Sequence, residues 1–209
     1  MTSVDHARLP FDEMLPTLKR VASCFREAEL PFVLAGGVAS WAQGGPETDH
    51  DLDFLIRPED GERALELLVE LGMRVERPPE PWLYKAYDGD VLVDLIFEPA
   101  GLVLDEDVID RSPVLEVFAV PMPVLRPEDI LVTKLMAMTE HTMDFRSCLE
   151  IARALREQVD WRDLRERTAG SPFADAFFAL VSGLGILAPD ANESSPQTPS
   201  PANPRAHRT

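Results

Sequence analysis

The feature that most constrains this chain is a glycine pair followed by two acidic residues inside an alternating apolar segment. The segment VLAGGVASWAQGGPETDHDLDFLI begins at Val33. Its first apolar residues predict a short strand, and Gly36 and Gly37 predict a turn into a helix. Asp51 and Asp53 follow, at alternate positions of a second predicted strand over residues 51–57. The fold must therefore place two carboxylates side by side on a largely apolar strand.

Strand periodicity separates these acids from the apolar residues around them. Side chains alternate between the faces of a strand, so Asp51 and Asp53 point to one face, whereas Leu52, Phe54 and Ile56 point to a core. Neighbouring carboxylates repel each other unless a cation lies between them, and Mg²⁺ prefers oxygen ligands of this kind. The pattern predicts a divalent-cation site. The alternative is that the acids cap turns or pair with arginines.

A third acid follows in the segment VLVDLIF, where Asp94 is the only polar residue of an apolar strand. A lone buried charge is costly, so we expect this strand to lie beside the strand of Asp51 and Asp53. Three carboxylates could hold two metal ions, as in the in-line displacement of phosphoryl or nucleotidyl groups. Pairing of Asp94 with an arginine remains the alternative.

The glycine turn predicts a complementary anion site. Gly36 and Gly37 allow backbone N–H groups to approach a phosphate at the start of a helix. Ser40 lies one turn into that helix, where it could contact a phosphate or be a plain small helix residue. The sequence contains neither a P-loop nor a G-x-G-x-x-G motif. The spacing of the glycines before Asp-x-Asp is therefore the informative signal.

The remaining periodicity predicts an α+β fold, with a mixed β-sheet flanked by helices and a C-terminal helical segment. Asp-Gly between two apolar runs predicts a hairpin at residues 88–90. Residues 114–124 read as one strand at a sheet edge, because Pro121 and Pro123 interrupt it. We expect a catalytic core over residues 1–126, a helical segment packed on the core over 127–187, and a disordered tail over 188–209, which is rich in Pro and Ser.

Composition excludes several classes of function. The chain has 209 residues and a formal net charge of −17, which argues against tight non-specific binding of nucleic acid. No apolar stretch is long enough to cross a membrane, and the N-terminus does not resemble a signal peptide. Two distant cysteines, Cys24 and Cys148, form neither a metal motif nor a disulfide framework. A cytoplasmic location is the expectation.

Together, the apolar-Gly-Gly segment, Asp-Leu-Asp and the later strand Asp resemble the nucleotidyltransferase superfamily that includes DNA polymerase beta. The downstream segments LRPEDILVTKLMAM and DFRSCLEIARAL resemble the AbiEii-type branch, which includes toxins of toxin–antitoxin pairs. The resemblance implies a nucleotidyltransferase fold. It also implies transfer of NMP from an NTP to an acceptor hydroxyl, with release of pyrophosphate (EC 2.7.7 type).

The resemblance implies roles for individual residues. Asp51 and Asp53 would hold Mg²⁺, or Mn²⁺, and the triphosphate, and Asp94 would be the general base or a further metal ligand. The Gly36–Gly37 turn and Ser40 would cradle the β- and γ-phosphates. These roles are expectations from the family.

Two further residues complete the implied site. Lys134 would steady the triphosphate, although its apolar helix alone favours the interpretation of a surface lysine. Asp144 would belong to the site, although it is also a plausible first-turn acid of its own helix. Both are therefore candidate nucleotide-binding residues.

The acceptor stays open at this level. It is tRNA, as for the toxins of this branch, or a small molecule, and the acidic balance slightly favours a small cationic molecule or a protein. An antitoxin would be a partner if the toxin-like reading holds. The alternatives from other classes are a catalytically degenerate nucleotide-binding or regulatory module and a metal-dependent phosphohydrolase.

Overall fold

The computed structural model describes residues 10–48 and 51–187, which form an α+β fold around a five-stranded mixed sheet. The strands are β1 (Phe32–Leu34), β2 (Leu52–Ile56), β3 (Arg74–Glu76), β4 (Leu83–Asp88), β5 (Val91–Ile96), β6 (Val114–Val117) and β7 (Val120–Pro123). The helices are α1 (Phe11–Glu27), α2 (Gly36–Ala42), α3 (Gly61–Glu70), α4 (Glu106–Arg111), α5 (Pro127–Met136), α6 (Arg146–Ala154), α7 (Trp161–Arg167) and α8 (Pro172–Gly183). The predicted α+β class, with its mixed sheet and flanking helices, is confirmed.

The order of strands in the main sheet is β1-β2-β5-β4-β3. β2 runs parallel to β5, whereas the pairs β1–β2, β4–β5 and β3–β4 are antiparallel. The predicted hairpin at Asp88-Gly89-Asp90 joins β4 to β5, with Gly89 at a φ of 62°. The strand of Asp94 therefore lies directly beside the strand of Asp53, as expected from the cost of burying a lone acid.

The apolar face of β2 is buried as the alternation predicts. Leu52, Phe54 and Ile56 are each no more than 1% exposed. The ring of Phe54 lies 5.8 Å from that of Phe25 on α1, in an edge-to-face arrangement. This core holds α1 against one face of the sheet, and the opposite face carries Asp53.

The segment 114–124 differs from the prediction of a single edge strand. It forms a separate two-stranded hairpin, in which β6 pairs with β7 around Phe118 and Ala119. Both turn residues have positive φ, 51° and 67°. Non-glycine residues seldom adopt this conformation, so the sequence carries no turn signal here. The Phe118 ring stacks on Trp41 at 4.8 Å, which offers a packing reason for the turn.

Two short elements were not anticipated from the periodicity. β3 spans three residues at the edge of the sheet, and α4 spans six residues. Elements this short contain too few residues for a period of 2 or 3.6 to be read. The only local signal for α4 is Asp105, whose carboxylate accepts a hydrogen bond from the N–H of Val108 at 2.9 Å as an N-cap.

Helices α5–α8 follow the sheet, and a buried ion cluster ties them to the preceding part of the chain. Asp129 on α5 is fully buried, and its Oδ1 accepts hydrogen bonds from Arg111 of α4 at 2.8 Å and Arg167 of α7 at 2.5 Å. A buried carboxylate is tolerated only when it is paired in this way. The division into a core over residues 1–126 and a helical segment over 127–187 stays a prediction.

The predicted disordered tail, residues 188–209, lies outside the described residues, as do Asp49 and His50. Within residues 10–48 and 51–187, none of the helices is both long and apolar enough for a bilayer crossing. Cys148 is buried and Cys24 is half-buried, and both are free thiols.

Candidate active site

The structure brings the three predicted carboxylates together. Asp51 lies immediately before β2, Asp53 lies on β2, and Asp94 is registered opposite Asp53 on the neighbouring parallel strand β5. One carboxylate oxygen from each residue lies within 4.8 Å of the other two. Directly paired residues on adjacent strands share a face, which explains the convergence of residues 41 positions apart.

Burial, followed by repulsion between the carboxylates, sets the electrostatics of this cluster. Burial raises the pKa of Asp53 well above its ordinary value, and the nearby charges of Asp51 and Asp94 raise it further. The cations Lys134 and Lys85 act on the pKa of Asp53 in the opposite direction. A site that disfavours three negative charges favours a bound cation, and three carboxylates are the oxygen ligands that Mg²⁺ or Mn²⁺ takes. The residues present therefore fit a divalent ion.

Gly36 and Gly37 lie so close to other side chains of the site that a Cβ atom at either position would clash. Gly36 has a φ of 62°, and a Cβ there would lie 1.7 Å from Oδ2 of Asp53. A Cβ at Gly37 would lie 2.5 Å from Oγ1 of Thr48. The backbone at Gly36 is also tied to β2, because the N–H of Ala35 donates to the carbonyl of Asp53 at 2.9 Å. The glycine pair thus lets the start of α2 lie directly against a carboxylate of the cluster.

The hydroxyl group of Ser40 is buried and makes no hydrogen bond among the described residues. The residue is 1% exposed, and its Oγ has no hydrogen-bond partner among the described residues. An unsatisfied buried hydroxyl costs free energy, so such a group calls for a ligand. Ser40 also lines a polar cavity of about 280 Å³ next to Asp51 and Asp53. The role of Ser40 as a phosphate contact stays a prediction.

Lys134 lies between two cavities rather than on an open surface. It is partly buried on α5, and together with Asp53 it lines both the polar cavity and a second, mainly apolar cavity of about 480 Å³. Asp144 lines the polar cavity, where its Oδ1 accepts a hydrogen bond from the N–H of Arg146 at 2.8 Å. Asp144 therefore holds the first turn of α6 and also borders the candidate site. The predicted helix begins two residues later than expected, at Arg146.

Several residues at the site were missed by the sequence analysis. Thr48, Arg146 and Ser147 line the polar cavity and add a cation and two hydroxyls to it. Lys85 on β4 donates hydrogen bonds to both carboxylate oxygens of Asp94, at 2.9 and 3.2 Å. The signal for Lys85 was present, because a two-residue hairpin loop at residues 89–90 dictates a register that pairs residue 85 with residue 94.

The aromatic residues of the hairpin separate to opposite faces. Trp82 lines the apolar cavity and is 41% exposed. Tyr84 lies on the other face, where its ring is 4.7 Å from that of Phe97 and its hydroxyl donates to Glu62 at 2.7 Å. Trp82 is therefore available to contact a ligand, and Tyr84 is engaged in packing.

Known proteins agree with this arrangement. Residues 12–182 match a family, NTP_transf_5, described as "Uncharacterised nucleotidyltransferase". The structure of ANT(2″)-Ia in complex with adenylyl-2″-tobramycin has a similar fold, with a TM-score of 0.57 and 17% identity, over 80% of this chain and 98% of that chain. An antigenic nucleotidyltransferase-like protein from Paracoccidioides brasiliensis gives a TM-score of 0.52 and 16% identity, over 85% and 91%.

At these identities the two solved structures establish the fold alone. None of the curated proteins matches this sequence. The family match spans most of the chain, and its nucleotidyltransferase character agrees with the fold. The chain therefore belongs to this nucleotidyltransferase family and is an enzyme of the EC 2.7.7 type.

Proposed function

We propose that the enzyme transfers NMP from an NTP to an acceptor hydroxyl and releases pyrophosphate, with a divalent ion, Mg²⁺ or Mn²⁺, bound by Asp51 and Asp53, and with Asp94 beside them as the general base or a further metal ligand. The observation that carries the proposal is the meeting of three carboxylates within 4.8 Å of one another, one of which, Asp53, lines both a polar and an apolar cavity. The ion would neutralise charge on the triphosphate and polarise the α-phosphate. The chain's own residues would bind and orient the reactants.

The polar cavity suits the triphosphate. Lys134 and Arg146 supply positive charge among the acidic residues that also line this cavity, so that a divalent ion would be needed beside them, and the unsatisfied Oγ of Ser40 supplies a hydrogen-bond donor. Charge-assisted hydrogen bonds of this kind are the strongest contacts to phosphate oxygens. Gly36 and Gly37 would allow the β- and γ-phosphates to approach beside Asp53. Asp144 would border this cavity and hold the start of α6 in place.

The apolar cavity suits the nucleoside. Leu55 and Ile96 line its floor on the sheet, and Trp82 lines its side with an exposed ring. A base stacked on an aromatic ring gains roughly 1–3 kcal/mol without reading its edge. Because Asp53 and Lys134 line both cavities, an NTP that spans them would place its α-phosphate at the carboxylates.

The chemical step would be an in-line displacement. A bond forms between the acceptor oxygen and the α-phosphorus while the bond from that phosphorus to the bridging oxygen of pyrophosphate breaks. The proton of the acceptor hydroxyl would pass to a carboxylate oxygen of Asp94, acting as general base. Asp94 as a further metal ligand is the other role that its position supports.

The acceptor is proposed as a small molecule or tRNA. The net charge of −17 favours a small cationic molecule over RNA, because a phosphate backbone would be repelled outside any local basic groove. Membership of the AbiEii-type branch, an antitoxin partner and a cytoplasmic location stay predictions that rest on the sequence.

The test is label transfer from each of four α-³²P-labelled NTPs, with pyrophosphate release measured in parallel. The arms contain pooled tRNA, a panel of aminoglycosides or no acceptor, each with Mg²⁺ or Mn²⁺. Label should move to one acceptor class with the wild type and not with Asp53→Ala, whereas Asp90→Ala, an exposed aspartate of the hairpin turn, should match the wild type. NTP binding without transfer in any arm would contradict the proposal and favour a regulatory module.

A further inference from the structure

Lys85 is a second cation at the carboxylate cluster, and the proposed function leaves it without a role. It lies in the middle of β4, registered opposite Asp94 of β5, which is itself registered opposite Asp53 of β2. Paired residues on adjacent strands point to the same face of a sheet. Lys85, Asp94 and Asp53 therefore form one row across three strands, and the sheet itself sets their spacing.

The contact between Lys85 and Asp94 involves the whole carboxylate. Nζ of Lys85 lies 2.9 Å from Oδ1 and 3.2 Å from Oδ2. The lysine side chain is 25% exposed and the aspartate side chain 12% exposed. A pair this far removed from water is screened much less than a surface ion pair, and it restrains both side chains.

The ammonium group also changes what Asp94 can bind. A divalent ion coordinated by Asp94 would have to lie beside Lys85, and two like charges at such distances repel strongly in a partly buried site. Lys85 lines neither the polar nor the apolar cavity, so its charge is directed at the carboxylates rather than at the proposed triphosphate. Lys134, which lines both cavities, serves that other purpose.

We propose that Lys85 is a positioning residue that holds Asp94 toward the acceptor hydroxyl and keeps a second divalent ion away from it. The chain without nucleotide then binds one divalent ion, through Asp51 and Asp53. Asp94, held by Lys85, then accepts the hydroxyl proton. This inference rests on the proposed nucleotidyl transfer for the role of Asp94, but its main test needs neither NTP nor acceptor.

The test measures Mn²⁺ binding to the full chain without nucleotide by electron paramagnetic resonance. We expect one Mn²⁺ per wild-type chain. Lys85→Met should bind Mn²⁺ about tenfold more tightly or take up a second ion, because a neighbouring positive charge is lost. Lys85→Arg should keep the wild-type stoichiometry. Lys19→Met, which removes an exposed lysine from α1, should bind Mn²⁺ like the wild type.

A second pair of variants keeps the test decisive if Lys85→Met folds poorly. Asp94→Asn should raise the Mn²⁺ dissociation constant by no more than about tenfold, because it removes a nearby negative charge but no ligand, whereas Asp53→Asn should raise it by about 100-fold or more. With the acceptor found by label transfer, Lys85→Met should lower kcat about 100-fold with the KM for NTP within threefold, and Lys85→Arg should recover part of the loss.

The inference is overturned if folded Lys85→Met binds Mn²⁺ with the wild-type affinity and stoichiometry. It is equally overturned if Asp94→Asn weakens Mn²⁺ binding as much as Asp53→Asn does, since Asp94 would then be a ligand of the ion. If Asp53→Asn has no effect on Mn²⁺ binding, the proposed metal site itself fails, which is a different outcome from the failure of Lys85 alone.

Discussion

Replacement of Gly36 by alanine should abolish most of the activity at a small cost in stability. A Cβ at Gly36 would lie 1.7 Å from Oδ2 of Asp53. Carbon and oxygen atoms that are not bonded need roughly 3 Å or more, so the carboxylate would have to move by more than about 1 Å. A displacement of that size at a reacting centre costs about 100-fold in rate. We expect NMP transfer to fall by about that factor or more.

A matched control separates the two effects of this substitution on stability, which are the cost of alanine at positive φ and the clash with Asp53. Gly36 and Gly89 both have a φ of 62°, but a Cβ at Gly89 would meet nothing within 4 Å. Alanine at positive φ costs about 1 kcal/mol, which corresponds to a fall in Tm of about 2–4 °C for a chain of this size. Gly89→Ala should show that fall with activity within twofold of the wild type.

The assay combines thermal unfolding with label transfer for both variants. Gly36→Ala should unfold at a temperature equal to or slightly below that of Gly89→Ala, and only Gly36→Ala should lose transfer and Mn²⁺ binding. If Gly36→Ala retains the activity of Gly89→Ala, the close approach of this glycine to Asp53 has no functional meaning, and the argument for the glycine pair is refuted.

Three further predictions follow from the site and its support. Asp53→Asn should raise Tm by about 3 °C at pH 7.5 without metal. Because the pKa of Asp53 is raised in the folded state, its charge destabilises the fold as pH rises. The gain in Tm should therefore vanish near pH 3.5, and it should shrink when Mg²⁺ is added to both proteins. Equal melting curves at pH 7.5 would contradict this. The dissociation constants of ATP, GTP, CTP and UTP, measured by quenching of tryptophan fluorescence that is lost in Trp82→Phe, should agree within about fivefold, because stacking on a ring is tolerant of the base. A preference above 100-fold would show that base edges are read. Asp129→Ala should lower the free energy of unfolding by about 3–5 kcal/mol in urea denaturation, because Arg111 and Arg167 lose a fully buried partner; a loss below 1 kcal/mol would mean that the cluster is not needed.

Local signals were sufficient for the elements that are long or sharply bounded. The alternation at Leu52, Phe54 and Ile56 predicted the buried face of β2, and Asp-Gly predicted the hairpin between β4 and β5. These signals work because they depend on neighbouring residues only. They fail at Phe118 and Ala119, where the turn uses positive φ without glycine and contacts with distant rings accompany it.

The residues of the candidate site also differ in how far the sequence could identify them. Asp51, Asp53 and Asp94 could be selected from the sequence because an acid is conspicuous in an apolar strand. Arg146 could not, since an arginine at a helix start is ordinary in any soluble protein, and Lys85 could be selected only through the hairpin register that pairs it with Asp94. What distinguishes Lys85 is its partner across the hairpin, and what distinguishes Arg146 is a cavity formed with residues of α2 and β2.

The sequence by itself determined the class of fold, the three acids and the glycines before them, because each follows from the period of a strand or the chemistry of a turn. Only the tertiary structure decided that Asp53 and Lys134 line two cavities, that Arg146 borders one of them, and that β6 and β7 form a separate hairpin. The physical reason is that spacing along a strand is set by neighbouring bonds, whereas the meeting of charges from distant segments is set by how the sheet and helices pack.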